Sequence, residues 1–410
     1  MNPKLKLSRR VRWAVPAGVV AVTAAVTAGS MITIAQASPE LPARSPAQLL
    51  AAVAGHTGLP PALTGTVVET ASLGIPNLPD TGDPTSITSL LAGSHTIKVW
   101  YADPAHFRLA VPVTLSETDL VRNGSTAWFW QSQTNTVTRM QLPAKAGAQD
   151  IPAPGQAPLT PQQAAQQVLA AVGPTTAVSV DPAVTVAGQA AYQLVLAPKD
   201  SRSLVGRVTL ALDGQHTDVP LRVQVFARGA TTPAFQVGFT AVAFVKPVTA
   251  NFDFTPPPGA KVSVTSPANG WSGLPPAQHK AAQKAAQRNA VRQKLAATGG
   301  PTVIGKDWLS VAVLPGDALA GITGAGNAAI AAGQAARSVA GGPGSGSVGG
   351  PDSAVILGAL LKAATPVHGA WGSGKLLSTS LISVLITDSG KVLVGSVTPA
   401  VLYSAAAQVK

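Results

Sequence analysis

Apolar and polar residues alternate along several segments in the middle of the chain, which is the pattern of half-buried β-strands. Leu210 and Leu212 fall on one side of residues 206–213, and the alternation recurs over residues 219–227 and 234–244. One face of each strand is therefore predicted to be covered and the other to be polar. This pattern predicts a large, one-sided antiparallel sheet.

Turn residues separate the strand candidates, as is typical of an antiparallel meander. The predicted strands are 63–72, 95–102, 107–113, 118–124, 125–132, 135–143, 177–181, 183–188, 190–198, 206–213, 219–227 and 234–244. Helices are predicted over residues 45–56 and 160–172, where Ser45 and Thr160 can cap the first turn and a proline follows each of them. The predicted fold class is therefore α+β.

Residues 263–410 are predicted to form a C-terminal extension. Its features are a basic helix, a strand over 306–314, a Gly-rich loop over 321–351, a hairpin over 376–397 and a helix over 399–408. The basic helix carries one cation on every fourth residue: Lys280, Lys284, Arg288 and Arg292. This stripe has two interpretations, a solvated helix face or a contact with an anionic membrane or a partner protein.

The N-terminus has the pattern of an export signal. Residues 1–12 hold five cations and no acid, residues 13–35 carry no charge, and Ala35-Gln36-Ala37 is a small-residue cleavage pattern. Two outcomes fit this pattern: cleavage after Ala37, or retention of residues 13–35 as a single-pass anchor. The predicted organisation is thus a signal or anchor at 1–37, a main domain at 38–262 and the extension at 263–410.

Composition narrows the chemistry. The formal net charge is +12, but the five cations of the signal leave the rest of the chain only mildly basic, which suits an anionic envelope better than nucleic acid. Cysteine is absent, which excludes disulfides and thiolate chemistry. The sequence holds no H-E-x-x-H or G-x-S-x-G motif and no paired carboxylates of glycosidase type. We therefore predict a protein that is not an enzyme and needs no cofactor or metal.

The apolar face of the predicted sheet has two interpretations, an ordinary core under helices or a cavity for acyl chains. The run Trp128-Phe129-Trp130 bears on this choice because it places large rings on both faces of one strand. A helix or a ligand is expected to cover the second set of rings.

Three segments resemble the envelope proteins of the LolA and MucB/RseB type. Residues 119–142 look like the strand, N/D-G turn and W-x-W/Y strand of that family. Residues 212–223, with Val219-Pro220-Leu221-Arg222-Val223, look like its L-P-L-R-V hairpin, and residues 252–259 look like its closing F-x-F-x-P-P-x-G segment. The resemblance covers about residues 46–262, in the family's order.

The resemblance implies an incomplete β-barrel, a large curved antiparallel sheet with helices over its concave face. It also implies an exported carrier that holds lipid or lipoprotein acyl chains, in the periplasm or at the extracytoplasmic face of the membrane. The alternative is a sensor that binds an anti-sigma factor or another membrane protein. The predicted cavity wall is Val99, Tyr101, Leu109, Trp128, Trp130, Leu210, Leu212, Val223, Val225, Val237 and Phe239.

Overall fold

The chain folds into two β-sheets and three helices over the residues that the computed structural model describes. These residues are 39–55, 61–74, 92–113, 115–142, 160–169, 172–215, 219–265, 302–315 and 363–409. The predicted signal at 1–37, the basic helix with its four-cation stripe and the Gly-rich loop lie outside them. None of the helices in the described part is both long enough and apolar enough to span a bilayer.

The first sheet has twelve strands in the order β12-β6-β5-β4-β3-β2-β1-β11-β10-β9-β8-β7. Its strands are β1 (Leu63–Ser72), β2 (Ala92–Asp103), β3 (His106–Val113), β4 (Ser116–Asn123), β5 (Thr126–Gln131), β6 (Thr136–Gln141), β7 (Thr176–Val186), β8 (Gln189–Pro198), β9 (Val205–Asp213), β10 (Pro220–Ala227), β11 (Phe235–Ala243) and β12 (Lys261–Thr265). Neighbouring strands are antiparallel except β12 and β6, which are parallel. The predicted large antiparallel sheet, open rather than closed into a barrel, is confirmed.

The strand register defines the two faces of this sheet. Leu210 lies opposite Val223, and Val223 lies opposite Val237. All three are fully buried, on what we call the covered face. On the other face, the outer face, Gln224 accepts a hydrogen bond from Thr209 at 3.2 Å and donates one to Gln236 at 2.6 Å. The alternation in the sequence therefore reports the two faces correctly in these strands.

Two helices pack on part of the covered face, and each begins with a capping box. In α1 (Pro46–Gly55), the backbone N–H of Gln48 donates to Ser45 Oγ at 3.2 Å, and the backbone N–H of Ser45 donates to Gln48 Oε1 at 2.8 Å. Thr160 and Gln163 repeat this reciprocal pair at the start of α2 (Pro161–Leu169). Helix α2 packs on β10 and β11, while α1 contacts β7 and α2.

The second sheet has six strands in the order β13-β14-β18-β17-β16-β15. They are β13 (Thr302–Ile304), β14 (Val311–Pro315), β15 (Thr365–Gly369), β16 (Gly372–Ser378), β17 (Ser383–Thr387) and β18 (Lys391–Gly395), followed by α3 (Pro399–Gln408). Leu385 and Leu393 on one face pack with Leu402 of α3. Leu381 and Ile382, between β16 and β17, belong to the core of the first sheet instead. The two sheets therefore share one core.

Two local predictions differ from the structure. The predicted strand at 306–314 begins with a short 3₁₀ turn, Asp307–Leu309, before β14. Tertiary contacts hold this turn, because Trp308 Nε1 donates to Thr176 Oγ1 at 2.7 Å and Thr175 donates to Asp307 at 2.9 Å. The two strands predicted at 177–181 and 183–188 form the single strand β7, in which the register shifts between Asp181 and Val184.

Candidate ligand-binding face

The covered face is closed at β9, β10 and β11. Six of the predicted cavity residues lie here, and all are buried: Leu210, Leu212, Val223, Val225, Val237 and Phe239. They pack in one cluster with Leu49 of α1 and with Ala164 and Val168 of α2. These six side chains therefore form the close-packed core under the helices, the ordinary alternative that the sequence left open.

The same face is less completely covered at β2, β3 and β4. Five apolar side chains there are half-buried and contiguous, and we call them the patch: Val99, Tyr101, Leu109, Val111 and Leu120. Val99 lies opposite Leu109, and Leu109 lies opposite Leu120, so the three form a row across the strands. Tyr101 packs against both the main core and a smaller apolar cluster of β3, β5 and β6. Three predicted residues, Val99, Tyr101 and Leu109, thus meet in this patch.

The environment of Tyr101 is apolar enough to affect its ionisation. Two effects raise the pKa of the Tyr101 hydroxyl: burial, which is the larger, and the nearby Asp103 carboxylate. Both effects disfavour the phenolate. The patch therefore presents a neutral tyrosine at physiological pH.

Trp128 and Trp130 do not join the other nine predicted residues. Trp128 lies opposite Val121 and Trp130 lies opposite Asp119, whereas the covered face of β5 is formed by Phe129, which lies opposite Leu120. Both indoles therefore lie on the outer face. The prediction that these two residues share a wall with Leu109 is therefore wrong, because the register of β4 and β5 places them on the opposite face.

A segment that follows β11 packs on these two indoles. The closing segment, residues 249–260, crosses the outer face and places the Phe254 ring 5.5 Å from Trp128 and 6.3 Å from Trp130. The same segment hydrogen-bonds to the sheet, since Asn123 donates to Asp253 at 3.1 Å. The Arg139 guanidinium lies 5.4 Å from the Trp128 ring. The tryptophans therefore serve to dock the closing segment.

An acidic and basic cluster lies beside them on the outer face. Arg108 pairs with the fully buried Asp119 and lies 3.6 Å from Glu117, while its guanidinium is 5.4 Å from the Trp100 ring. Burial, reinforced by the nearby Glu117, raises the pKa of Asp119 to about 7 despite the attraction of Arg108. This carboxyl therefore titrates near neutral pH.

Buried polar side chains on the covered face were not predicted. Glu69 and His95 lie opposite each other in β1 and β2, and both are buried. Arg122 of β4 is 2 % exposed. The signal was present in the sequence, because Arg122 stands two residues after Leu120 and must share its face. In the part of the chain that is described, His, Asp and Glu side chains form no group of three that could hold a metal ion.

No protein-family model matches this sequence, and no curated protein matches it at a significant level. Several solved structures match it at low sequence identity. The complex of MucA and MucB from Pseudomonas aeruginosa matches with 15 % identity and a TM-score of 0.35, over 87 % of this chain and 94 % of that one. A LolA superfamily protein from Nitrosomonas europaea matches with 9 % identity and a TM-score of 0.21, over 52 % and 99 %.

LprF from Mycobacterium bovis is a third example, with 12 % identity and a TM-score of 0.28 over 52 % of this chain and 97 % of that one. The two groups that the sequence motifs resemble, LolA and MucB, both occur among these matches. Matches at these identities and TM-scores identify neither a ligand nor a partner.

Proposed function

We propose that this protein is an exported, non-enzymatic carrier that holds acyl chains of a lipid or lipoprotein on the covered face of its first sheet. The acyl chain would lie along the patch and be shielded from water there. The setting that suits this function is the periplasm or the extracytoplasmic face of the cell membrane, to which the predicted N-terminal signal would direct the chain.

The observation that carries the proposal is the half-burial of five contiguous apolar side chains beside a fully closed core. Leu210 and Val223 are completely inaccessible, whereas Leu109 and Leu120, on the same face, are not. Contiguous apolar surface of this kind marks binding sites on folded proteins. The closed strands would act as a rigid floor, and the patch would take the chain.

Burial of hydrocarbon can supply the required affinity without covalent chemistry. Each methylene group that leaves water contributes about 0.8 kcal/mol, so an acyl chain of about fourteen carbons contributes roughly 10 kcal/mol before the costs of binding. Part of this is lost to ordering of the chain and of the protein. A reversible carrier therefore needs only an apolar surface and a cover.

Native mass spectrometry of the protein purified from a host with a cell envelope tests this proposal, followed by titration with a fluorescent fatty acid. We expect a co-purified lipid or stoichiometric uptake of the probe. Leu109→Asp should fold, because the side chain is half-buried, and should lose the ligand because a carboxylate then lies in the acyl path.

The matched control is Leu115→Asp. Leu115 is fully exposed in the turn between β3 and β4, so this variant makes the same chemical change on the same hairpin without touching the patch. It should bind like the wild type. A protein that neither carries nor takes up lipid, or a Leu109→Asp variant that binds as well as its control, would contradict the proposal.

Binding of a membrane protein or an anti-sigma factor is the second candidate function, and the edge strand β12 favours it. β12 is the last strand of the first sheet, next to β6. Its Val262 and Val264 side chains are 50 % and 60 % exposed to solvent. Its outer edge pairs with no strand in the described part of the chain. An extended partner segment could add a strand at such an edge.

The extracytoplasmic segment of an anti-sigma factor from the source organism is the probe for this function. Association that a fatty acid competes away would support a lipid sensor. Replacement of Lys280, Lys284, Arg288 and Arg292 by Ala tests the proposed basic contact. Unchanged affinity of that variant would remove the stripe from the interface, and no association at all would remove the sensor function.

A further inference from the structure

Arg122 is a buried cation that pairs with no carboxylate in the described part of the chain. Its side chain is only 2 % exposed, and its one hydrogen bond runs from Nε to the Gly124 carbonyl oxygen at 3.1 Å. Nη1 is shielded from solvent and has no hydrogen-bond partner. Among the described residues, no carboxylate forms an ion pair with this guanidinium.

Arg108 shows what such a side chain ordinarily requires. It lies on the neighbouring strand β3, on the outer face, is less buried than Arg122 and is paired with two carboxylates, Asp119 and Glu117. Arginine stays protonated in proteins, so a buried guanidinium keeps its charge and needs an anion or several acceptors around it. Arg122 is the more deeply buried of the two and has the fewer partners.

The position of Arg122 relative to the patch indicates what the missing anion would be. Phe107 and Ala127 flank it on the adjacent strands, and Leu120 precedes it by two residues on the same face. Phe107 in turn lies opposite Tyr101. The cation thus lies within a row of apolar side chains beside the patch, and the complementary ligand is an amphiphile with an apolar chain and an acidic head.

We propose that Arg122 binds the acidic head group, a carboxylate or a phosphate, of the amphiphile whose chain lies on the patch. The planar guanidinium can donate two parallel hydrogen bonds to either oxyanion. This inference rests on the proposed carrier function and adds to it a selectivity for acidic over neutral amphiphiles.

Calorimetric titration with palmitate, hexadecyl phosphate and hexadecanol tests the inference on the full-length protein. The three probes share one chain and differ in the head. The wild type should bind the two acidic probes more tightly than the alcohol. Arg122→Leu should weaken binding of the acidic probes about 10- to 100-fold and leave hexadecanol almost unchanged, because a hydrogen bond to a charged group is lost only for the acids.

Arg139→Leu is the matched control. It also removes one arginine, but from the outer face, where Arg139 lies over Trp128. This control should keep the preference for acidic probes. Arg122→Leu is expected to fold, since replacing an unpaired buried charge by an apolar group is often neutral or stabilising. If it does not fold, Arg122→Gln removes the charge while keeping polar hydrogen-bonding atoms.

The outcomes separate this inference from the function on which it rests. Equal binding of all three probes to the wild type and to Arg122→Leu would overturn the head-group site and leave the carrier function standing. Failure of the wild type to bind any probe would overturn both. Inorganic phosphate alone is the last arm: if it binds as tightly as hexadecyl phosphate and loses its affinity in Arg122→Leu, Arg122 holds a free anion and the head-group assignment is wrong.

Discussion

The covered face of the first sheet consists of two regions that differ in packing although their composition is similar. At β9 to β11, Leu210, Val223 and Val237 are fully buried under α2. At β2 to β4, Val99, Leu109 and Leu120 stay half-buried. Both regions are rows of aliphatic side chains in register across antiparallel strands, so hydrophobicity alone does not distinguish a core from a binding surface.

The difference lies in what covers each region. The closed region has two helices over it, and the second sheet adds Leu381 and Ile382 to the same cluster. The helices make their main contacts with β7, β10 and β11. A carrier benefits from this arrangement, because the closed region supplies the stability that an open apolar surface on the same sheet cannot.

The largest contrast should come from placing the same charge in each region. Leu210→Asp should abolish folding, because an unpaired carboxylate in a dry core costs several kcal/mol, comparable to the total stability of a domain. Leu109→Asp should remain folded. Circular dichroism and thermal melting of the two variants measure the difference. If Leu210→Asp melts like the wild type, the region at β9 to β11 is not a closed core.

The alternation of the sequence predicted the faces of β9, β10 and β11 because only one set of alternating residues in each is apolar. It could not do so for β5, where Trp128, Phe129 and Trp130 make both sets aromatic. Which set faces the helices depends on pairing with β4, and that register is a property of two strands together.

Long-range pairing limits prediction in the C-terminal part as well. The hairpin of β17 and β18 could be predicted because it depends on a local feature, the turn at residues 388–390. The pairing of β14 with β18 joins residues about eighty positions apart, and β12 pairs with β6 across a still longer separation, about 125 positions. No short motif encodes such contacts. For the same reason no local pattern indicates that Leu381 belongs to the core of the first sheet.

The contribution of the second sheet to the closed region can be measured with Leu381→Ala. Leu381 is 2 % exposed, and the adjacent Ser380 amide donates to the Leu73 carbonyl at 3.0 Å. Truncation should lower the free energy of unfolding by about 2–5 kcal/mol, as is usual for a buried leucine. Leu109→Ala, the control from the patch, should cost less, about 1 kcal/mol, since its side chain is only partly buried. Equal losses in urea denaturation would show that the two regions are packed alike.

Gly65 lies at the border between the two regions, opposite Val99 in β2. A Cβ at this position would stand 2.8 Å from the Phe239 ring, which belongs to the closed core. Gly65→Ala should therefore displace that ring and cost about 1–3 kcal/mol. The double variant Gly65→Ala/Phe239→Leu should recover part of the loss in urea denaturation. No recovery would mean that the Ala241 carbonyl, also at 2.8 Å, causes the strain instead.

The last prediction concerns the two faces of β4, where Asp119 and Arg122 point in opposite directions. The folded protein keeps the Asp119 proton up to about pH 7, whereas the unfolded chain releases it near the ordinary aspartate pKa of 3.8. The folded state thus binds more protons in this window, so the free energy of unfolding should fall as pH rises from about 4 to about 7. We expect a loss of up to about 4 kcal/mol over this window, because each unit of difference between the folded and unfolded pKa corresponds to about 1.4 kcal/mol.

Asp119→Asn should flatten this dependence, because the amide cannot ionise. Glu117→Gln is the control from the same strand and should reduce the slope without removing it, since Glu117 only reinforces the shift. Urea denaturation at several pH values compares the three proteins. A slope that survives in Asp119→Asn would assign the pH dependence to groups other than Asp119.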